Sequence, residues 1–306
     1  MTAAPERTRY IEIDVQTALT RVESANMPAM KWSLNPYRGC KHGCVYCYAR
    51  YTHTFLELDP DQDFSQTVFV KRNLAQALRA DLRAAGWRRE HVSIGTATDP
   101  YQPAEGRYQL TRGALVVLRD QLTPAALVTK NTLALRDAEI MASLHRAARF
   151  HLIMSITTLD ERLARELEPD VPGPAQRLRA LAELAKAGVP VSVGLAPILP
   201  GINDDEVHLA ALFEAAYDHG AEVGFHQPFR MYAATRTTLF AYLRRHHPHL
   251  LEPYRRLYLS QQDPPRAYRE QLRARIDRLR QRFAPRAPVR PPRAAPTGQL
   301  ALELND

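Results

Sequence analysis

Apolar positions recur along this chain in two rhythms. Short, nearly continuous apolar runs fall at residues 32–35, 91–99, 125–131, 150–158, 189–201 and 221–229. Between them the apolar spacing is helical. Leu74, Leu78, Leu82 and Ala85 mark one helix, and another opens near Thr111. Residues 136–148 form a third, and 174–187 a fourth, with Leu178, Leu181 and Leu184 on one face. Asn203 followed by Glu206 reads as a capping box, and Gly220 stands where a C-terminal cap belongs. The six runs are too far apart for hairpins, so strands alternating with helices predict βαβ units and a parallel sheet.

The pattern also divides the chain. Residues 31–235 make one predicted α/β body, preceded by an N-terminal segment, 1–30. Residues 236–262 are helical and aromatic but fit no β/α repeat. Tyr268, Leu272, Ile276, Leu279 and Phe283 then line one face of a basic amphipathic helix, so 236–283 reads as a C-terminal helical extension. From 284 to 306, Pro, Arg and Ala replace the apolar rhythm and cannot build a core, which predicts a flexible basic tail.

Charge sharpens this picture. The net charge is +8, and in 266–293 only Glu270 and Asp277 oppose the arginines Arg266, Arg269, Arg273, Arg275, Arg278, Arg280, Arg282, Arg286, Arg290 and Arg293. A basic surface favours polyanions, nucleic acid first, although an arginine-rich composition raises charge as readily. No run approaches the roughly 18 apolar residues of a membrane span. The N-terminus, MTAAPERTRY, lacks the apolar stretch of a secretory signal. The expected compartment is the cytoplasm, where thiols stay reduced.

All three cysteines, Cys40, Cys44 and Cys47, fall within PYRGCKHGCVYCYAR (36–50). Such crowding does not suit scattered core thiols, and an odd count confined to one loop is no disulfide framework. Gly39 and Gly43 permit the tight backbone of a metal loop. Two metal readings stand at this point. One is zinc, with His42 or a distant histidine as fourth ligand. The other is a [4Fe–4S] cluster held by three thiolates, with one iron left open.

The motif CKHGCVYC resembles the C-x3-C-x-aromatic-C signature of the radical S-adenosylmethionine (SAM) superfamily. NPYRGCKHGCVYCYAR, TDPYQPAE, TKN, SITT and LEP together resemble the DNA repair photolyase group related to spore photoproduct lyase, from about Ser33 to Phe229. The resemblance implies a partial (β/α)6 TIM-like barrel with a [4Fe–4S] cluster on Cys40, Cys44 and Cys47. It implies SAM on the open iron, cleaved reductively to a 5′-deoxyadenosyl radical that abstracts hydrogen from a nucleic acid, DNA foremost. It places Tyr46 near the adenine, Thr98 and Asp99 near the methionine amino group, and Lys130 and Ser155 against SAM; Glu168 of the LEP motif is a further candidate. These motifs follow predicted strands at their C-terminal ends, where barrel enzymes carry their chemistry.

Blander readings accompany each residue. Lys130 is also what a solvated strand end looks like, Ser155 could satisfy backbone groups, and Asp99 before Pro100 could form a turn. Tyr48 and Tyr101 read equally as core aromatics or substrate contacts, and His53 and His226 as structural histidines. One departure stands out. Spore photoproduct lyase uses a further cysteine after the second strand as hydrogen donor, and here that segment reads GTATDPY, without sulfur. The alternatives are a radical SAM enzyme modifying RNA, a protein or a small molecule, and a non-catalytic zinc or iron–sulfur module. With no second cluster motif, electrons are expected from a flavodoxin, a ferredoxin or a reductase. GQLALEL (298–304) resembles sliding-clamp-binding peptides, so a clamp is a candidate partner.

Overall fold

The computed structural model describes residues 8–23 and 30–284. The predicted tail and its clamp-like peptide lie outside them. Among the described residues ten strands form: β1 (Arg9–Ile13), β2 (Leu19–Arg21), β3 (Trp32–Leu34), β4 (Tyr37–Arg38), β5 (Thr67–Lys71), β6 (Val92–Ile94), β7 (Ala125–Thr129), β8 (Phe150–Ser155), β9 (Val191–Ile198) and β10 (Glu222–Pro228). Seven make one sheet in the order β10-β9-β8-β7-β6-β3-β2. From β3 to β10 each strand pairs in parallel with its predecessor in that set, while β2 runs antiparallel to β3 along the edge. Among the described residues no ladder joins β10 back to β2. The result is an open, six-stranded parallel arc: the predicted partial TIM-like barrel, with all six strands where the apolar runs placed them.

Burial alternates along β7 and most of β8, which is what a pleated strand with two unlike faces produces. Leu127 of β7, Leu152 and Met154 of β8, and Val193 of β9 lie on the outer face, fully buried under the helices. Their neighbours Ala126, Val128, His151 and Ile153 point the other way and are only half-buried. The apolar layer therefore sits between sheet and helices, at about 1.5–3 kcal/mol for each fully buried aliphatic side chain.

Helices Leu74–Arg83, Leu110–Asp120, Ala138–Ala148, Pro174–Lys186 and Glu206–Asp218 cover the outside. Two sequence expectations need correction. Ala85 lies beyond its helix, which ends at Arg83. Asn203 is not the cap of Glu206–Asp218. That role belongs to Asp205, whose carboxylate accepts from His208 N at 2.9 Å. The Asn203 side chain instead accepts from Leu199 N at 2.6 Å and donates to Thr157 O at 2.8 Å, bracing the loop after β9.

A second sheet was not legible in the sequence. β5 pairs in parallel with β1 and antiparallel with β4. Because β4 runs straight into Gly39 and Cys40, this small sheet is the platform from which the cysteine loop departs.

The C-terminal region packs back on the barrel. Leu239, Tyr242, Leu243, Tyr254 and Tyr258 form one apolar cluster with Cys44, Tyr46 and Leu167. Helix Arg266–Phe283 buries Leu272, Ile276, Leu279 and Phe283 in the main core. Part of its positive charge is met within the chain: Arg278 pairs with Glu206 at 3.0 Å, Arg266 with Glu270 at 2.6 Å, and Arg275 donates to the Asp204 carbonyl.

Candidate active site at the barrel mouth

The cysteine loop crosses the C-terminal ends of the parallel strands and is held there by side chains that are not cysteines. Gly39 O accepts from Thr98 Oγ1 at 2.7 Å and from Gln102 Nε2 at 3.0 Å. Gln102 also donates to Thr98 Oγ1 at 2.8 Å and accepts from Lys41 N at 3.0 Å. On the other flank, buried Arg50 donates to Cys44 O at 3.2 Å, and Thr235 Oγ1 donates to Cys47 O at 2.9 Å. Val45 N donates to Leu167 O at 3.0 Å, which stitches the loop to the LEP segment. Arg50 and Gln102 escaped the sequence reading: a buried arginine or glutamine that satisfies carbonyls has no spacing signature.

Cys40 and Cys44 are buried and Cys47 half-buried, all as free thiols. Burial pushes the Cys44 thiol up, with Glu168 adding to the effect; burial and then Cys40 do the same for Cys47. A set of thiolates here therefore calls for a positive centre among them. Among the described residues no three His, Cys, Asp or Glu side chains are drawn together as a formed metal site, the cysteines included. His42 does not offer itself as a fourth ligand. Its Nδ1 lies 3.4 Å from Asp99 Oδ2 and its Nε2 lies 3.2 Å from Asn131 Nδ2, so both ring nitrogens face internal partners. The donor set that fits the loop is three thiolates and no histidine, the count that leaves an iron–sulfur cluster one open position.

Asp99 is the electrostatic hub of this half. It accepts from Thr129 Oγ1 at 2.7 Å, Lys130 N at 2.7 Å and Tyr101 N at 2.8 Å, besides facing His42. Burial opposes its ionisation, but the His42 charge and these hydrogen bonds hold the carboxyl at about 2. Burial likewise opposes a charge on His42, yet Cys40 and Asp99 raise it to about 10. Asp99 thus ties the segment after β6 to the end of β7, and through His42 to the cysteine loop.

Glu168 organises the other half. Its carboxylate meets Arg177 at 2.7 Å with both side chains fully buried, and accepts from Thr157 Oγ1 at 3.3 Å and from the Tyr46 hydroxyl. Arg177 also donates to Ser155 O at 2.9 Å. Burial opposes charge on Glu168, but Arg177, Lys130 and Tyr46 keep its carboxyl below the usual range. Ser155 Oγ donates to Ala196 O at 3.1 Å at the end of β8.

Lys130 stands between the two halves. Its ammonium lies 5.8 Å from the centroid of the Tyr46 ring. Burial opposes its charge, and Glu168, Cys44 and Asp99 raise it. No described carboxylate lies within ion-pair distance of it, and no hydrogen bond from the ammonium to a described residue forms. Tyr46 itself is buried, its ring under Lys130 and its hydroxyl on Glu168. Of the candidates named from sequence, the structure thus gathers Cys44, Tyr46, Asp99, Lys130 and Glu168 about one point. It puts Thr98 beneath the loop and Ser155 on the adjoining strand end. Tyr101 is a core aromatic, buried and donating to Asp137 at 3.0 Å. His53 is structural, its ring against Phe64 and its Nε2 3.0 Å from Thr67 O.

A rim of aromatic rings stands outside this centre. Tyr48, next to Cys47, places its hydroxyl on the carbonyl of Thr96 after β6, and its ring lies 5.5 Å from that of Tyr232.

This arrangement has known counterparts. The model of the Radical SAM superfamily matches residues 34–213. The chain belongs to that superfamily. An uncharacterized protein of Mycobacterium tuberculosis is 37% identical over 293 residues, covering 96% of this chain and 86% of the relative. An uncharacterized protein of Methanocaldococcus jannaschii is 27% identical over 196 residues, 64% of this chain and 71% of its own. Among solved structures, a mutant spore photoproduct lyase with bound AdoMet and dinucleoside spore photoproduct superposes with a TM-score of 0.67. It is 15% identical, over 92% of this chain and 81% of that one, a likeness of fold.

Proposed function

We propose that this chain is a radical SAM enzyme acting on a nucleic acid, DNA foremost, with a [4Fe–4S] cluster on Cys40, Cys44 and Cys47. The observation that carries this reading is the ammonium of half-buried Lys130, without hydrogen bond or ion pair to any described residue, beside a loop of three thiols at the barrel mouth. When bound, the cluster and SAM supply reductive cleavage of the cofactor and hydrogen abstraction from the substrate. Lys130 offers its charge to the SAM carboxylate, and the Ser155 hydroxyl a polar contact on the neighbouring strand. Tyr46 and Glu168 fix the floor under Lys130. Thr98 and Asp99 act as positioning residues, one through Gly39 O and the other through His42 and the Lys130 backbone. Residues from the C-terminal extension cover the loop and keep water from it, as radical chemistry requires.

DNA is favoured by the net positive charge and by the shared fold of a lyase solved with a dinucleoside photoproduct. The full photolyase reaction is not part of the proposal, because all three cysteines lie in the cluster loop and the segment after β6 has no thiol. Electrons come from an external donor of flavodoxin or ferredoxin type. The test is anaerobic reconstitution with iron and sulfide, followed by a dithionite-dependent SAM-cleavage assay with DNA, RNA or neither present. Four irons per chain and cleavage are expected, with both lost in Cys44→Ala. Bound zinc without cleavage would overturn the enzyme reading, and stimulation by RNA alone would replace DNA as substrate.

A further inference from the structure

The aromatic rim has a form that the cofactor site does not require. The 3-10 turn Tyr48–Leu56 begins directly after Cys47. A 3-10 helix brings residues i and i+3 into line, and Tyr48 and Tyr51 lie with ring centroids 6.4 Å apart and planes 21° from parallel. Tyr232, from the segment before helix Ala233–His246, lies 6.4 Å from Tyr51 at 18°. Phe55 meets Tyr51 edge-on at 5.9 Å. These rings are not buried: Tyr51 is 37% exposed and Phe55 73%. A contiguous aromatic patch facing solvent marks a surface that meets a ligand.

The geometry of the rings identifies that ligand. The patch is made of ring faces rather than aliphatic side chains, and near-parallel rings offer a stacking surface for a flat π-system, tolerant of which base is presented. The Arg230 guanidinium lies 5.6 Å from the Tyr232 centroid and pairs with Asp263 at 2.7 Å, which holds the Tyr232 ring in place. The patch is fixed to the reactive centre as well. Thr235, three residues on from Tyr232, donates to Cys47 O at 2.9 Å, and Tyr48 bridges to Thr96 at the end of β6.

We propose that Tyr51, Phe55 and Tyr232 form a stacking platform for an unpaired nucleobase, so that the DNA substrate is bound single-stranded at the barrel mouth. A base within a duplex already stacks on its neighbours and has no free face to give. The proposal rests on the nucleic-acid reading above and adds to it the state of the strand.

The test uses the cluster-loaded full chain and a fluorescein-labelled 12-nucleotide single strand, with the same sequence as a blunt duplex, in anisotropy titrations over a salt series. The single strand is expected to bind more tightly than the duplex. Tyr51→Ala and Phe55→Ala should each weaken single-strand binding about tenfold, and Tyr51→Phe should restore it. The slope of log affinity against log salt should stay that of the parent, because stacking releases no counterions. Iron content equal to the parent's reports that the variants are folded. Unchanged single-strand affinity in both alanine variants, or a parent that prefers the duplex, would overturn the platform and leave the nucleic-acid reading in place. A parent that cleaves SAM but binds neither strand form, of DNA or RNA, would overturn that reading itself.

Discussion

Gly39 immediately precedes Cys40 and Gly43 immediately precedes Cys44, so in sequence they are equivalent. The structure separates them. Gly39 has φ +87°, and a Cβ there would lie 2.6 Å from Thr67 O, 3.0 Å from Phe64 O and 3.0 Å from His53 Cε1. Two of those atoms are backbone oxygens already in use: Phe64 O accepts from Cys40 N at 3.0 Å, and Thr67 O lies 3.0 Å from His53 Nε2. Neither can retreat without losing a bond. In Gly39→Ala the positive φ costs about 1–2 kcal/mol. Overpacking adds about 1–3 kcal/mol, and one lost buried hydrogen bond about 1 kcal/mol. The expected total is about 3–6 kcal/mol. Gly43 has φ +61°, but its Cβ would meet Pro169 Cγ at 3.6 Å, an ordinary contact. Gly43→Ala therefore carries only the backbone term, about 1–2 kcal/mol. Urea unfolding of the two metal-free variants, followed by far-ultraviolet circular dichroism under reducing anaerobic conditions, reads the difference directly. Iron per chain after reconstitution should fall much further in Gly39→Ala. Equal losses in the two variants, or a larger loss in Gly43→Ala, would refute the steric argument.

Two electrostatic predictions follow from the halves of the site. Glu168→Gln leaves the Arg177 guanidinium buried without a counter-charge, and should lower unfolding stability by about 3–5 kcal/mol in urea titrations; adding Arg177→Met should recover much of that loss, and a single-variant cost below about 1 kcal/mol would show the pair to be dispensable. For Asp99, the folded carboxyl at about 2 lies below its unfolded value, so its contribution is present above pH 4 and is lost as pH falls from 4 to 2. Asp99→Asn should flatten the pH dependence of unfolding in that window by about 2 kcal/mol across it, and an unchanged slope would mean that the carboxylate is not the group titrating.

What the sequence made legible follows from how each feature is encoded. The six parallel strands carry continuous apolar runs because their outer faces sit under helices, and the long spacers leave only crossover connections. The motifs at strand ends were legible because cysteine, glycine and lysine at those spacings have few other uses. The small sheet was hidden because β4 is two residues long and β1 meets β5 across 58 positions, with no local pattern to announce either. The helix cap was misplaced by two residues because Asn203 and Asp205 are both competent caps, and only the packing of the β9 loop decides between them. The pairing of Arg278 with Glu206 was hidden as well, because the two lie 72 positions apart in the chain.

The same division bears on how the cysteine loop is held. In small zinc domains the ligands are the core, and removing metal unfolds the chain. Here none of the three cysteines belongs to the main apolar cluster, which runs from Leu34 to Phe283 through the sheet and its helices. The carbonyls of Gly39, Cys44 and Cys47 are each bound by a side chain from elsewhere: Thr98 and Gln102, Arg50, and Thr235. The loop's course is therefore set by side chains other than its cysteines. That explains why the residue most sensitive to backbone change, Gly39, is not one of the three cysteines.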